Sequence, residues 1–280
     1  MTKVYETGAL PNVVVIGAMK CGTTSLHEFL ALHPDVCASE PKEINFFSGE
    51  NADKPLDWYK AYFDPTKPVR VESSQNYSKA HYPFYAGAPA RMAETIPDAK
   101  LIYLVRDPIE RYRSHVAENF IGETSDDLRW IEKNNHRVMT GLYHYQLSAF
   151  LEFYDLDRIR VVDLADLSRD PLATMNELFA FLDLPQVDDP SLFDFRVNAN
   201  GEDVLPRRLR TSLPYRAARK VAPGAVNAVF RWPPVRKAFL SKSYKPQLPT
   251  EEIERLKAEI APDMARFRSL TGMDFPDWSV

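Results

Sequence analysis

The sequence is poor in cysteine, with only Cys21 and Cys37 among its 280 residues. Two cysteines cannot build a disulfide framework, so we expect two free thiols in a reducing compartment. The N-terminus also lacks a basic region followed by an apolar run, and no window reaches the roughly 18 apolar residues of a membrane span. Together these absences predict a cytoplasmic protein without a leader or a membrane helix.

The sequence has no overall excess of positive charge: 35 Lys and Arg residues stand against 39 Asp and Glu residues, for a net charge of -4. A nucleic acid partner is therefore not predicted. Metal-binding spacings such as HExxH or CxxC are absent, so no metal site is predicted. Since no repeat or low-complexity tract divides the chain, we expect one domain over residues 1–280.

One stretch departs from this acidic average. The residues from Val204 to Thr250 include no acidic residue but eleven Lys and Arg residues. The prolines and short amphipathic pieces of this stretch predict loops and short helices over one face of the domain. Because Phe230, Trp232 and Phe239 are interleaved with the basic residues, contact with an anionic membrane surface is a second interpretation.

Apolar runs rich in β-branched residues have the pattern of buried parallel strands. They are Val13–Ile16, Val69–Val71, Leu101–Val105 and Ile159–Val162, with Val36–Ala38 as a shorter candidate. Helical patterns lie between these runs. The alternation predicts an α/β fold, a P-loop-type parallel sheet of about five strands flanked by helices and followed by the C-terminal basic region.

The segment from Gly17 to Ser25, GAMKCGTTS, directly follows the first predicted strand and opens the first predicted helix. Glycines allow backbone N–H groups to converge on an anion, and the helix N-terminus adds partial positive charge. Threonine and serine hydroxyls add further donors. This segment is therefore predicted to bind a phosphate group.

The lysine of this loop is displaced from the position that an ATP site would use. A Walker A loop carries its lysine directly after the second glycine, where this sequence has Thr23. Lys20 instead lies inside the loop, nearer to a group attached beyond a 5′-phosphate. The displacement favours sulfuryl transfer over phosphoryl transfer.

The string GAMKCGTTSL resembles the 5′-phosphosulfate loop of sulfotransferases that use 3′-phosphoadenosine-5′-phosphosulfate (PAPS), in particular the heparan sulfate N- and 3-O-sulfotransferases and their bacterial relatives. The resemblance implies that PAPS is the co-substrate and 3′-phosphoadenosine-5′-phosphate (PAP) the product. The loop residues that it implies in cofactor binding are Lys20, Cys21, Gly22, Thr23, Thr24 and Ser25.

A second motif, RDPIERYRS, follows the strand that ends at Val105. It resembles the family's 3′-phosphate motif, in which a strand-end arginine and a serine eight residues further on hold the 3′-phosphate. Here these residues are Arg106 and Ser114. The planar fork of an arginine suits a phosphate group, and the two loops would grip opposite ends of one nucleotide at the edge of the sheet.

A base is needed because an acceptor hydroxyl loses its proton as it attacks sulfur. Glu43 is the candidate, since PKEINFF resembles the segment where the heparan-type enzymes carry their catalytic glutamate; Glu40 is the competitor. Lys20 would neutralise charge that develops on the departing phosphate. With Lys20 and backbone amides in that role, we expect no metal to be required.

Further residues are implied by weaker matches. Asn45, Glu72 and His115 are candidates for contact with the acceptor, and Tyr143, in a G-x-Y segment, for contact with the nucleotide. A purely structural role stays open for these residues. The heparan enzymes close their site with a cysteine-bridged hairpin, which this chain lacks; in its place Arg207 or Arg208 would approach the cofactor, or belong to a solvated basic face.

The leading hypothesis is a sulfotransferase that acts on a hydroxyl or amine of a carbohydrate or of another small or lipid-linked acceptor. Two alternatives stay open on sequence alone. One is a P-loop phosphoryl-transfer enzyme of the kinase type, and the other is a non-catalytic protein that binds a nucleotide or a membrane surface.

Overall fold

The computed structural model describes residues 4–122, 131–194, 203–204, 241–242 and 247–280. Five parallel strands form its main sheet, and each predicted strand is confirmed within one or two residues. The strands are β1 (Val13–Gly17), β2 (Val36–Ala38), β3 (Val69–Ser73), β4 (Lys100–Val105) and β5 (Ile159–Asp163).

The strand order is β2-β3-β1-β4-β5, with β1 at the centre. All five residues of β1 are buried, as expected for a strand covered by helices on both faces. From β1 the chain runs first to one side of the sheet and later returns to the other side. The order therefore reverses between β1 and β4, and a crevice is expected outside the carboxyl ends of these two strands.

Helices cover both faces of the sheet. Two of them begin at aspartate caps: Asp163 accepts a hydrogen bond from the N–H of Ala165, and Asp170 accepts one from the N–H of Ala173. The described helices are α1 (Thr23–Ala31), α2 (Leu56–Lys60), α3 (Ala88–Thr95), α4 (Pro108–Gly122), α5 (His136–Met139), α6 (Tyr143–Leu151), α7 (Leu164–Arg169), α8 (Pro171–Phe181) and α9 (Thr250–Thr271).

Helix α9 belongs to the same hydrophobic core as the sheet. Its stripe of Leu256, Ile260, Met264 and Phe267 is almost fully buried, and the helix continues through Pro262. The ring of Phe267 packs 5.6 Å from that of Tyr143. Burial of each such side chain stabilises the fold by about 2 kcal/mol, so α9 is fixed against the middle of the domain.

The two ends of the basic stretch meet in a short antiparallel ladder. In it, β6 (Asp203–Val204) pairs with β7 (Ser241–Lys242). Residues 205–240, including the predicted Arg207 and Arg208, lie outside the described residues. Among the helices that are described, none is long and apolar enough to cross a membrane.

Candidate active site

The predicted phosphate loop connects β1 to α1, at the point where the strand order reverses. Two of its residues, Lys20 with φ 69° and Gly22 with φ 90°, have left-handed backbone conformations. Gly22 is also the N-cap of α1, where it provides no side-chain cap, and the first turn of the helix carries no acidic residue. Left-handed residues next to a helix N-terminus form a concave set of N–H donors, which suits an anion.

Close packing beneath the loop explains its two glycines. A Cβ atom on Gly17 would lie 1.9 Å from Oγ of Ser78, and a Cβ atom on Gly22 would lie 2.7 Å from Cδ1 of Leu164. Real Cβ atoms do not approach other atoms so closely. The loop is therefore seated directly on the chain that follows β3 and on the start of α7.

The second predicted motif lies beside the first. Nη1 of Arg106, at the end of β4, is 3.5 Å from the carbonyl oxygen of Lys20. Its Nη2 is 3.4 Å from a carboxylate oxygen of Glu110, a half-exposed pair that an anionic ligand could displace at little cost. Ser114 lies one turn beyond Glu110 on α4 and is half-buried. The structure thus places the side chain of Arg106 against the backbone of Lys20, and their roles in nucleotide binding stay predictions.

Tyr143 contacts both motifs from the buried side. Its hydroxyl donates to the carbonyl oxygen of Arg106 over 2.7 Å, and it lies 3.4 Å from Sγ of Cys21. Both side chains are fully buried. Burial raises the pKa of the Cys21 thiol to about 11, so this thiol stays protonated at neutral pH. The side chains of these two predicted cofactor residues therefore face the core, where they hold the loop and the end of β4 in register.

Glu43 is half-buried and paired with its neighbour. Nζ of Lys42 lies 2.7 Å from Oε1 of Glu43, whose side chain is 32% exposed. Glu40, the competing candidate, is exposed. A carboxylate that is partly accessible can meet an acceptor, and the ion pair with Lys42 holds the side chain in place. Lys42 was not predicted, although it precedes Glu43 directly in the sequence.

The predicted acceptor residue Glu72 is fully buried in β3. Its carboxylate accepts hydrogen bonds from the hydroxyls of Tyr59, Ser74 and Tyr77. Burial raises the pKa of Glu72, and the hydrogen bonds from these three hydroxyls oppose that shift. Contact between Glu72 and an acceptor stays a prediction, and the side chain reaches solvent nowhere.

Asn45 and His115, the other two predicted acceptor residues, differ in accessibility. Asn45 is half-buried, and its Oδ1 accepts from Nδ2 of Asn76 over 3.2 Å. His115 is buried on α4, where Nη1 of Arg111 lies 3.2 Å from its Nδ1. Burial and the nearby Arg111 hold the pKa of His115 well below its usual range. The acceptor roles of both residues stay predictions, and only Asn45 is accessible.

His27 on α1 is a residue of the site that the sequence did not single out for a function. Its Nε2 donates to the carbonyl oxygen of Ser39 over 3.1 Å, so its Nδ1 accepts from the hydroxyl of Ser73 over 2.7 Å. Burial lowers the pKa of His27 to about 4, which keeps the ring neutral. The helix that begins at the phosphate loop is thereby tied to the ends of β2 and β3.

The C-terminal residues also reach this edge of the sheet. Nε1 of Trp278 donates to Asp163 over 2.9 Å, and the N–H of Ser279 donates to the carboxylate of Asp107. These two aspartates stand at the carboxyl ends of β5 and β4. No local sequence signal indicates such contacts, because the partners are 115 and 172 residues apart.

The part of the chain that the structure describes contains no group of three or more His, Cys, Asp or Glu residues arranged to hold a metal ion. The phosphate loop, Arg106, Ser114 and Glu43 all follow the carboxyl ends of strands β1, β4 and β2. These predicted residues therefore lie at the same edge of the sheet, and anion binding there stays a prediction.

The fold is a five-stranded parallel α/β domain, and the predicted phosphate loop lies at the switch point of its sheet. A family model, described as a sulfotransferase domain, matches residues 10–197, and the chain belongs to that family. The match places it in a class of transferases and agrees with the resemblance inferred from the two motifs.

The similar curated proteins are bifunctional heparan sulfate N-deacetylase/N-sulfotransferases. The type 2 protein of Bos taurus is 33% identical over 199 residues, which cover 62% of this chain and 22% of that protein. The type 1 protein of Caenorhabditis elegans is 29% identical over 197 residues, which cover 64% of this chain and 22% of that protein. The chain thus aligns with about a fifth of the length of these relatives.

Among solved structures, a sulfotransferase from Alicyclobacillus acidocaldarius has a TM-score of 0.65 and 23% identity, covering 97% of this chain and 100% of that one. At this level of identity the likeness supports the fold. It extends over the helices and strands on both sides of the predicted site.

Proposed function

We propose that this chain transfers a sulfuryl group from PAPS to a hydroxyl or amine of a carbohydrate acceptor. The observation that carries the proposal is the meeting of Arg106 with Lys20 at an uncapped helix N-terminus, within a chain of the sulfotransferase family. Two cationic groups and a concave set of N–H donors suit a nucleotide with phosphates at both its 5′ and 3′ positions.

The residues present fit this co-substrate. In the proposal, the loop from Lys20 to Ser25 holds the 5′-phosphosulfate with backbone N–H groups and hydroxyls. Arg106 and Ser114 hold the 3′-phosphate, and Arg106 exchanges its contact with Glu110 for the ligand. Tyr143 contributes by fixing the backbone of Arg106.

The proposed reaction is a direct in-line displacement. The acceptor oxygen or nitrogen forms a bond to sulfur while the bond from sulfur to the bridging phosphate oxygen breaks, and that oxygen leaves with its electron pair as part of PAP. Glu43 takes the proton of the acceptor. Lys20 stabilises the negative charge that grows on the leaving phosphate, an interaction that is strongest in the transition state.

The acceptor class is supported by the curated relatives, which are heparan sulfate N-deacetylase/N-sulfotransferases. The match to the sulfotransferase family model includes the segment that carries Glu43. A small or lipid-linked hydroxyl would use the same chemistry, and a panel of acceptors separates these classes.

The scarcity of cysteine supports a cytoplasmic location, which fractionation of cells would test. The basic residues of 204–250 would bind an anionic acceptor or membrane surface.

The decisive experiment incubates the protein with radiolabelled PAPS and a panel of glycans, lipids, phenols and small alcohols. Glu43→Gln and the neighbouring Glu40→Gln serve as a matched pair, because each variant replaces one glutamate carboxylate by an amide and the two positions are three residues apart. We expect wild-type protein and Glu40→Gln to label a glycan and Glu43→Gln to lose at least about 100-fold in rate. Equal rates for both variants would overturn the role of Glu43, and labelling of a non-glycan alone would overturn the acceptor class.

A further inference from the structure

Side chains from other parts of the chain form hydrogen bonds with several backbone groups of the segment that carries Glu43. We call residues 43–47 the base segment. The carbonyl oxygen of Ile44 accepts from Nδ2 of Asn51 over 2.7 Å, and that of Phe46 accepts from Nη2 of Arg91 over 2.9 Å. These contacts fix two carbonyl groups of the base segment.

The N–H groups of the base segment are held by two buried hydroxyls. The N–H of Asn45 donates to Oγ of Ser74 over 3.1 Å, and the N–H of Phe47 donates to the hydroxyl of Tyr77 over 3.2 Å. Both hydroxyls are fully buried. A hydroxyl has a single hydrogen, so its ability to accept from a given N–H depends on where that hydrogen points.

Glu72 determines where these hydrogens point. The hydroxyls of Ser74 and Tyr77 each donate to Oε1 of Glu72 over 2.6 Å. With their hydrogens on the carboxylate, their lone pairs face Asn45 and Phe47. Hydrogen bonds to a carboxylate are short and strong, and burial removes competing water. The carboxylate thus orients two acceptors toward the base segment.

We propose that Glu72, acting through Ser74 and Tyr77, is the positioning residue that holds Glu43 at its catalytic location. The inference rests on the proposed function of Glu43 as the base. It assigns Glu72 an indirect role in place of direct contact with an acceptor. The fully buried Glu72 positions the half-buried Glu43 through two hydroxyls and the backbone of the base segment. A misplacement of about 1 Å at a reacting group can cost about 100-fold in rate.

Tyr59 provides a matched control within the same cluster. Its hydroxyl also donates to Glu72, on Oε2, but its contacts with the base segment are ring contacts, stacked on Phe46 at 4.1 Å and edge-on to Phe47 at 5.3 Å. The change Tyr59→Phe therefore removes one hydroxyl from the same carboxylate, retains the ring, and leaves the N–H partners of Asn45 and Phe47 in place. Tyr77→Phe removes one hydroxyl and one N–H partner.

The test compares Tyr77→Phe, Ser74→Ala and Tyr59→Phe by steady-state kinetics, PAP binding and amide hydrogen exchange. We expect the first two to lower kcat at least tenfold, with PAP affinity within twofold of wild type, and Tyr59→Phe to lower kcat less than threefold. Amide hydrogen exchange at Phe47 should become about fivefold faster in Tyr77→Phe only, which is the factor for the loss of one net hydrogen bond. Amide hydrogen exchange at Asn45 should become faster by the same factor in Ser74→Ala only.

Equal kcat values for Tyr77→Phe and Tyr59→Phe, or unchanged exchange at Phe47 in Tyr77→Phe, would overturn the inference while leaving sulfuryl transfer intact. Failure of the proposed function has a different outcome, since wild-type protein would then transfer nothing from PAPS or bind no PAP. The exchange measurement requires no acceptor, so it tests the positioning contacts in either case.

Discussion

Nη1 of Arg106 lies 3.5 Å from the carbonyl oxygen of Lys20, so two residues 86 positions apart meet at one edge of the sheet. The contact exists because β1 and β4 are neighbours and run parallel, which places the loops after them side by side. The guanidinium of Arg106 therefore lies against the backbone of the phosphate loop. The chemistry proposed for this domain depends on that meeting.

A substitution at Gly22 tests whether PAP binding depends on the backbone conformation of the phosphate loop. Gly22→Ala adds a Cβ atom that would lie 2.7 Å from Leu164, at a residue with φ 90°. We expect the free energy of unfolding to fall by about 1–3 kcal/mol and PAP affinity to fall at least tenfold. Chemical denaturation and calorimetric titration measure the two effects.

Gly87→Ala is the control for Gly22, since Gly87 has φ −79° and a Cβ atom there would meet nothing within 4 Å. We expect this variant to match wild-type stability and PAP affinity. If both glycine variants bind PAP as tightly as wild type, the loop between β1 and α1 does not bind the nucleotide.

Arg106 is predicted to recognise the 3′-phosphate. Arg106→Ala should weaken PAP binding by about 10- to 100-fold, the range for hydrogen bonds to a charged group, because the variant loses the guanidinium that faces this phosphate. Adenosine 5′-phosphate lacks the 3′-phosphate, so its affinity should change less than threefold. A parallel loss for both nucleotides would indicate that Arg106 only maintains the structure of the loop through Lys20.

Lys20 is predicted to act on the leaving group. Lys20→Met retains the length of the side chain without its charge, and we expect kcat to fall by about 100- to 1000-fold while PAP affinity falls less than tenfold. Lys60→Met, on α2, is the control, since Lys60 forms an ion pair with the exposed Asp57 on the same helix. A fall in PAP affinity as large as the fall in kcat would contradict a role specific to the transition state.

We expect protonation of His27 to lower the free energy of unfolding in acid. Its folded pKa of about 4 lies below the ordinary value of 6.5, so the unfolded chain binds the proton more tightly. The contribution of neutral His27 is therefore complete above about pH 6.5 and is lost as the pH falls toward 4, by about 3 kcal/mol in total.

The variant His27→Gln retains one donor and one acceptor but does not titrate. Urea unfolding at pH 7 and pH 4.5 should show a smaller loss of stability in this variant than in wild type. If both proteins lose the same free energy of unfolding between these two pH values, the buried hydrogen bonds of His27 do not produce the effect.

The parts of this fold that the sequence predicted are those encoded locally. Five strands were predicted because their apolar β-branched runs are short and bounded, and the phosphate loop because its glycines, Lys20 and hydroxyls are consecutive. Arg106 was located by the motif at the end of β4. The pairing of these two loops followed from the parallel topology alone.

The contacts that the sequence did not predict join distant residues. The burial of Glu72 depends on Tyr59, 13 residues before it, and on Tyr77, five residues after it. A motif match placed Glu72 near the acceptor, but alternation along a strand could not say which side chain enters the core. The contacts of Trp278 and Ser279 with Asp163 and Asp107 have no periodic signature either.

The central claim is that this crevice binds PAPS as a sulfuryl donor. The most direct measurement is calorimetric titration of the wild-type protein with PAP in EDTA, beside ATP with Mg²⁺. The account predicts saturable PAP binding without a divalent cation, weaker binding of ATP, and PAP binding weakened by about 10- to 100-fold in Arg106→Ala. No PAP binding at millimolar concentration, or Mg²⁺-dependent ATP binding tighter than that of PAP, would contradict it.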